Sequence, residues 1–178
     1  MRTSITVFAL SLLLAGSAVK AQNSWQIGLI GAKVTATLNN GTLTISGTGQ
    51  MYIQANYRSL GGFTPWYDQK DQITTVIINN GVTNISPSAF ADHVNLRSIS
   101  IPGSVTTIGR STFSNCSLTS VTIPNTVTQI DEDAFSSNSG LTGVVFEDGK
   151  TTLNFGYYGR IFFANCPIES LYLGRNMV

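Results

Sequence analysis

Three stretches of the chain superpose without a gap: VTNISPSAF at 82–90, VTTIGRSTF at 105–113 and VTQIDEDAF at 127–135. Each follows a short run of β-formers (Val76-Ile77-Ile78, Ile99-Ser100-Ile101, Val121-Thr122-Ile123), and 14 residues separate the start of the run from the phenylalanine every time. The period is 22 to 23 residues. A unit of this size offers six main core positions, which in the first unit are Val76, Ile78, Val82, Ile85, Phe90 and Leu96. Six apolar side chains cannot offset the backbone entropy of ordering a whole unit. Such a unit folds only when neighbours stack on both of its faces and bond to its backbone, which predicts a quasi-one-dimensional solenoid.

A fourth unit runs from Val144 and Phe146 to Phe163 and Cys166, with an internal distance of 19, so it carries five extra residues around Asn154 to Arg160. A fifth contributes only the strand Leu171-Tyr172-Leu173. The units begin near 73, 96, 118 and 141, with a partial one from 168, and occupy 73–178. Within a unit, strand alternation sends Val76 and Ile78 inward and Thr75, Ile77 and Asn79 outward. Ser86-Pro87 and Asp131 have the character of a helix cap and first helical position, which predicts a short helical turn ending at Phe90 or Phe135. Asp131, Glu132 and Asp133 suit the negative charge favoured at a helix start, and they lack the spacing of a calcium loop.

The Val-Thr-x-Ile and Ala-Phe elements, with Ile-Pro at 101–102 and 123–124, resemble the BspA-like leucine-rich repeats of secreted and surface proteins from host-associated bacteria and some protists. GTLTISGTG at 41–49 and TPWYDQKDQIT at 64–74 resemble the segment that commonly precedes such repeats. The resemblance implies a β-rich leucine-rich-repeat solenoid of about four to five units with short helical turns, behind a β-hairpin cap. It also implies a non-catalytic surface or secreted protein that binds a host or cell-surface protein. The repeat motif carries no binding residues of its own.

Residues 22–72 fit the cap. Val34, Ala36 and Leu38 alternate with polar neighbours, Asn40-Gly41 is a hairpin turn signal, and Leu43 and Ile45 resume the alternation. Tyr52, Tyr57, Phe63, Trp66 and Tyr67 follow; they read as cap core over the first rung, with an aromatic sugar platform as the alternative. Only Gly174 to Val178 follow the last strand, so the final rung is expected to be open, either to further repeats or to end-to-end association with a second chain.

Residues 1–21 read as a signal peptide: Arg2, an apolar stretch from Ile5 to Ala15, then Val19-Lys20-Ala21 before a cut at Gln22. The stretch is about half the roughly 20 residues of a membrane span, and Ser17 stands where lipoprotein processing needs a cysteine. The expected product is secreted, periplasmic or held at the cell surface.

The chemistry is sparse. With 10 Lys plus Arg against 9 Asp plus Glu, the charge balance argues against nucleic acid and anionic membrane as partners. One His and two Cys leave little for a metal site, and no cofactor is expected. Cys116 and Cys166 both fall three residues after the unit phenylalanine, two rungs apart, about 10 Å at the usual strand spacing. Bridged Cα atoms lie within about 7 Å, so two buried free thiols are expected. His93 and Asn138 share that position, which makes His93 a core filler rather than a catalytic base. Gly28-Leu29-Ile30-Gly31, Gly47-Thr48-Gly49 and Gly61-Gly62 lack the lysine and helix of a phosphate loop. Glu147, Asp148 and Glu169 have no glycosidase spacing, and the sequons at Asn40, Asn84 and Asn115 are incidental in a chain rich in Asn, Ser and Thr.

Two surfaces remain as binding candidates. One is the outward strand face, with Ser98, Ser100, Ser120, Thr122, Val145, Glu147 and Tyr172 as its principal residues. The other is the insertion, with Tyr157, Tyr158 and Arg160 between glycines. A protein partner, of the host extracellular matrix or cell surface in the sense the resemblance implies, is the first reading and a glycan the second; a hydrolase built on His93 is the third and weakest. N-terminal sequencing of the exported chain is expected to begin at Gln22, and metabolic labelling to find no fatty acid on it; a later start or a lipidated product would contradict the leader assignment.

Overall fold

The computed structural model describes residues 23–53, 64–154 and 162–176. The leader assigned to 1–21, Tyr57, Phe63, and the insertion residues Tyr157, Tyr158 and Arg160 lie outside them. The chain is a β-solenoid of about four turns. Its strands are β1 (Asn23–Gln26), β2 (Lys33–Asn39), β3 (Thr42–Thr48), β4 (Thr75–Ile78), β5 (Asn84–Ile85), β6 (Ser98–Ser100), β7 (Thr107–Ile108), β8 (Ser120–Ile123), β9 (Gln129–Ile130), β10 (Gly143–Phe146) and β11 (Ser170–Leu173).

The alternation at 33–48 forms the expected hairpin, whose turn residues Asn40 and Gly41 take φ of 45° and 78°, the left-handed pair of a tight hairpin. β1 adds antiparallel to its far edge, a strand that the sequence pattern does not announce. On its near edge β3 pairs in parallel with β4, placing Leu43 opposite Val76 and Ile45 opposite Ile78. The cap thus supplies the first rung with both a hydrogen-bonding edge and a continuation of its core columns. Gly47 makes the crossing possible: at φ 119° a Cβ there would overlap the Lys33 carbonyl oxygen.

Each rung has three bonded sides. The long strands form one face, as β1-β2-β3-β4-β6 and β11-β10-β8, and β5-β7-β9 form a second. The third side differs from the helical turn that the sequence suggests. Ser88, Ser111 and Asp133 have φ of 55°, 51° and 57°, and Asp92, Asn115 and Ser137 have φ of 63°, 57° and 60°. Left-handed residues at these points interrupt any α-helix and turn alternate N–H groups toward the next rung. Ser88, Phe90 and Asp92 donate to the carbonyls of Arg110, Thr112 and Ser114 at 2.8 to 2.9 Å, and the next rung repeats this from Ser111, Phe113 and Asn115. The residues read as caps take other duties: Ser86 Oγ donates to Met51 O and accepts from the Ile53 N–H, tying the cap to the first rung.

Inside, like residues form columns. Val82, Val105 and Val127, then Ile85, Ile108 and Ile130, are buried. Phe90, Phe113 and Phe135 are fully buried and stack with ring centroids 5.3 Å apart. Trp66 begins the column at 5.7 Å from Phe90, and Phe163 extends it at 5.4 Å from Phe135. Trp66 is cap core, as one of the two readings had it, whereas Tyr52 is half exposed and does not join it.

Beside the rings runs a ladder of short donors. Cys116 Sγ donates to Phe90 O at 3.1 Å, Asn138 Nδ2 to Phe113 O at 2.8 Å, and Cys166 Sγ to Phe135 O at 3.2 Å. Each closes a carbonyl of the preceding rung. Both cysteines are free, but only Cys116 is buried; Cys166, expected to be buried too, is partly exposed. Desolvation pushes the Cys116 thiol up to about 12. His93 heads the ladder, wholly buried, with Nδ1 3.0 Å from Ala91 O.

The extra residues of the fourth unit are split. Offsets between paired residues rise from 23 at Val121 and Val144 to 25 at Gln129 and Asn154, then to 28 at the stacked Phe135 and Phe163. Two of the five therefore precede Asn154, earlier than the sequence placed them. One consequence is local. In regular rungs a hydroxyl closes the turn below: Ser104 Oγ donates to Val82 O and Thr126 Oγ1 to Val105 O. For Val127 O that partner is Arg175, from the rung beyond the fourth, whose Nη1 donates at 2.6 Å and whose Nη2 donates to Pro124 O at 3.0 Å. Arg175 is buried against the Phe146 ring; burial lowers its pKa and Glu147 opposes that shift.

Two outcomes test these columns. Phe113→Ala is expected to cost about 3–5 kcal/mol in urea denaturation, because both neighbouring rings lose their stacking partner; a cost near zero would contradict the continuous column. His93 has a pKa lowered chiefly by burial, against the opposing effect of its hydrogen bond to the Ala91 carbonyl. Below about pH 6.5 the unfolded chain therefore takes up a proton that the folded chain refuses, and stability falls as pH falls through that value. Replacing His93 with Asn, the residue of the same ladder position in the third unit, is expected to flatten the slope of the urea midpoint between about pH 7.5 and 5.5.

Candidate binding surface

The face built by β4, β6, β8, β10 and β11 presents the outward half of each strand. Ser98, Ser100, Ser120, Thr122, Val145, Glu147 and Tyr172 are all exposed on it. Ile77, at 36% exposure, and Val145, at 39%, give it apolar points among small hydroxyl residues.

Its two halves differ in what their side chains are doing. On the β10–β11 side the polar groups serve the chain itself. Tyr172 Oη donates to Asp148 Oδ1 at 2.7 Å, which raises the tyrosine's pKa, and Glu147 Oε2 accepts the Asn125 N–H at 3.3 Å. On the β6–β8 side the hydroxyls of Ser98, Ser100, Ser120 and Thr122 have no hydrogen-bond partner among the described residues. The structure brings these four together around one groove of about 380 Å³, with Arg97, Ile99, Ile101, Thr119 and Val121 completing its lining.

The groove exists because the face is interrupted there. β4 pairs with β6 and β8 with β10, but no ladder joins β6 to β8, although the two strands are neighbours. The inward residues of β4 and β8 are sealed, as at Val76, Ile78, Val121 and Ile123, whereas Ile99 and Ile101 of β6 at the seam are only half buried and Leu171 and Leu173 of β11 are exposed. The connector feeding β8 is short: Phe113 to Val121 spans eight positions, whereas Phe90 to Ile99 and Phe135 to Val144 span nine. The other two sides and the phenylalanine column run unbroken across the same junction.

Sequence reasoning placed the four hydroxyls on one face but missed Arg97 and Thr119. Arg97 stands where the other units carry Thr74, Thr119, Thr142 and Glu169, so it is the one cation in that column. Its guanidinium has no ion pair or hydrogen bond among the described residues, and the groove lining contains no carboxylate. Both features, like the short connector, are visible in an aligned repeat. The burial of Trp66 removes it as a sugar platform, and His93, sealed inside the ladder, faces no groove. Asp131, Glu132 and Asp133 form no metal cluster among the described residues; Asp131 Oδ1 accepts from Gln129 Nε2, and Glu132 pairs with Arg110.

No helix among the described residues is long and apolar enough to cross a membrane. In comparison with known proteins, the family model described as BspA type leucine rich repeat region matches residues 66–178, in six copies. A crystal structure of a leucine-rich repeat protein from Eubacterium ventriosum superposes with a TM-score of 0.65 at 26% sequence identity, over 85% of this chain. The chain spans 40% of the length of that protein. No curated protein matches. The repeat match begins at Trp66, the residue that opens the aromatic column, and takes in every rung behind it: the chain belongs to the BspA type leucine-rich-repeat family.

Proposed function

We propose that the chain is an exported, non-catalytic binding module that holds a protein partner on its long-strand face, secreted or displayed at the cell surface. The observation that carries this reading is the cluster of unengaged hydroxyls at Ser98, Ser100, Ser120 and Thr122, flanked on the same face by exposed Ile77 and Val145. Solenoids of this type use such an extended face for partners, because stacking leaves it long and rigid. Small hydroxyl side chains lose little rotamer entropy on contact and allow close approach, and the apolar points supply area to bury. The short apolar leader at 5–15 supports export. The insertion carrying Tyr157, Tyr158 and Arg160 is a second candidate contact, on residue type alone.

The test uses the chain from Gln22 onward against immobilised host extracellular-matrix proteins and, in parallel, a glycan array. A variant carrying Ser100→Glu, Thr122→Glu and Val145→Glu is expected to melt at an unchanged temperature and to bind its protein ligand about tenfold or more weakly. Undiminished binding by that variant, or binding confined to the glycan array, would overturn the proposal.

A further inference from the structure

We infer that the seam between β6 and β8 is a recognition slot for an acidic side chain carried on an extended peptide segment of the partner. This rests on the reading of the long-strand face as the partner surface, and it names the chemistry that the face selects.

Three features of the slot converge. The first is charge. Among the described residues Arg97 has no ion-pair partner, and the lining beside it otherwise consists of hydroxyls and aliphatic groups, with no carboxylate to neutralise it. A planar fork of five donors suits a carboxylate, which accepts two parallel hydrogen bonds from it. The second is the hydroxyl set. Ser98, Ser100, Ser120 and Thr122 are free to donate to the remaining lone pairs of an anion or to the peptide groups on either side of it. The third is the backbone. The facing edges of β6 and β8 carry no mutual ladder bonds, so peptide groups along the seam lack ladder partners, and an extended segment lying over the groove can reach them.

The same features select against other occupants. No aromatic ring lines the slot, so a sugar ring has nothing to stack on. Because neighbouring rungs stay in register on the other two sides, β6 and β8 cannot part by a full strand width, and the partner lies along the groove rather than between the strands. Half-buried Ile99 and Ile101 form the floor, which a β-branched residue next to the acidic one would cover.

The probe is the capped pentapeptide acetyl-Thr-Val-Asp-Val-Thr-amide, titrated into the 15N-labelled chain from Gln22 onward and followed by amide chemical shifts. Saturable shifts are expected at Arg97 to Ile101 and Thr119 to Thr122, weakening as salt is raised. The same peptide with Asn in place of Asp is expected to bind about tenfold more weakly, and Arg97→Gln to make the two peptides equivalent. Equal binding of both peptides to the unaltered chain would overturn the assignment to Arg97, and shifts elsewhere or none at all would overturn the slot. Shifts at these amides with hexagalacturonate, the peptide being silent, would overturn it in favour of an acidic glycan. Any of those results would leave the matrix-protein test standing, and failure there with success here would limit the partner to short acidic segments.

Discussion

Rung-to-rung hydrogen bonding is the constraint from which the rest of the molecule follows. No unit can bury its own apolar residues, so the backbone groups left open by one rung find their partners on the next, except along the seam between β6 and β8. Long strands do this on one side, two-residue strands on a second, and left-handed turn residues on the third. The phenylalanine column and the Cys-Asn-Cys donors are consequences of that registration: once like positions are superposed, rings meet rings and a short donor meets the carbonyl one rung below.

Much of this could be read from spacing. A constant distance of 14 residues between strand and ring is enough to place Val76, Ile85 and Phe90 in columns, because a stack of equal coils has no other way to seat them. Asn40-Gly41 announces its hairpin for a reason equally local, the backbone twist that only such residues adopt cheaply. What was not legible depends on bonds between rungs. Ser86-Pro87 and Asp131-Glu132-Asp133 have the composition of helix starts, and an isolated segment would be drawn that way. In the stack, the N–H groups that a helix would use internally are more valuable to the neighbouring rung, and Ser88 and Ser111 cross into positive φ to deliver them. β1 was missed because Asn23–Gln26 is too short to show a pattern, and is a strand only because β2 offers it an edge.

The binding face shows the same division. Outward alternation identifies which side chains emerge, and it found Ser98, Ser100, Ser120 and Thr122. It does not reveal that Glu147 and Tyr172 are occupied by Asn125 and Asp148, since those contacts come from turns 22 and 24 residues away. Nor does a list of outward residues show that a connector one residue shorter in one unit leaves a strand pair unjoined. The departure from perfect repetition is where the face acquires its groove, while the regular rungs on either side continue the stack.

Arg175 adds a property that none of the simpler contacts has. Its guanidinium reaches past the enlarged coil to close the turn at Pro124 and Val127, so three successive coils share a single clasp. Gain or loss of whole repeats, the usual way such arrays change length, should be tolerated among the first two coils, where each needs only its immediate neighbours. Within the clasped triplet the same event would strand a buried cation and several carbonyls at once, making that block a unit that must be inherited or exchanged whole.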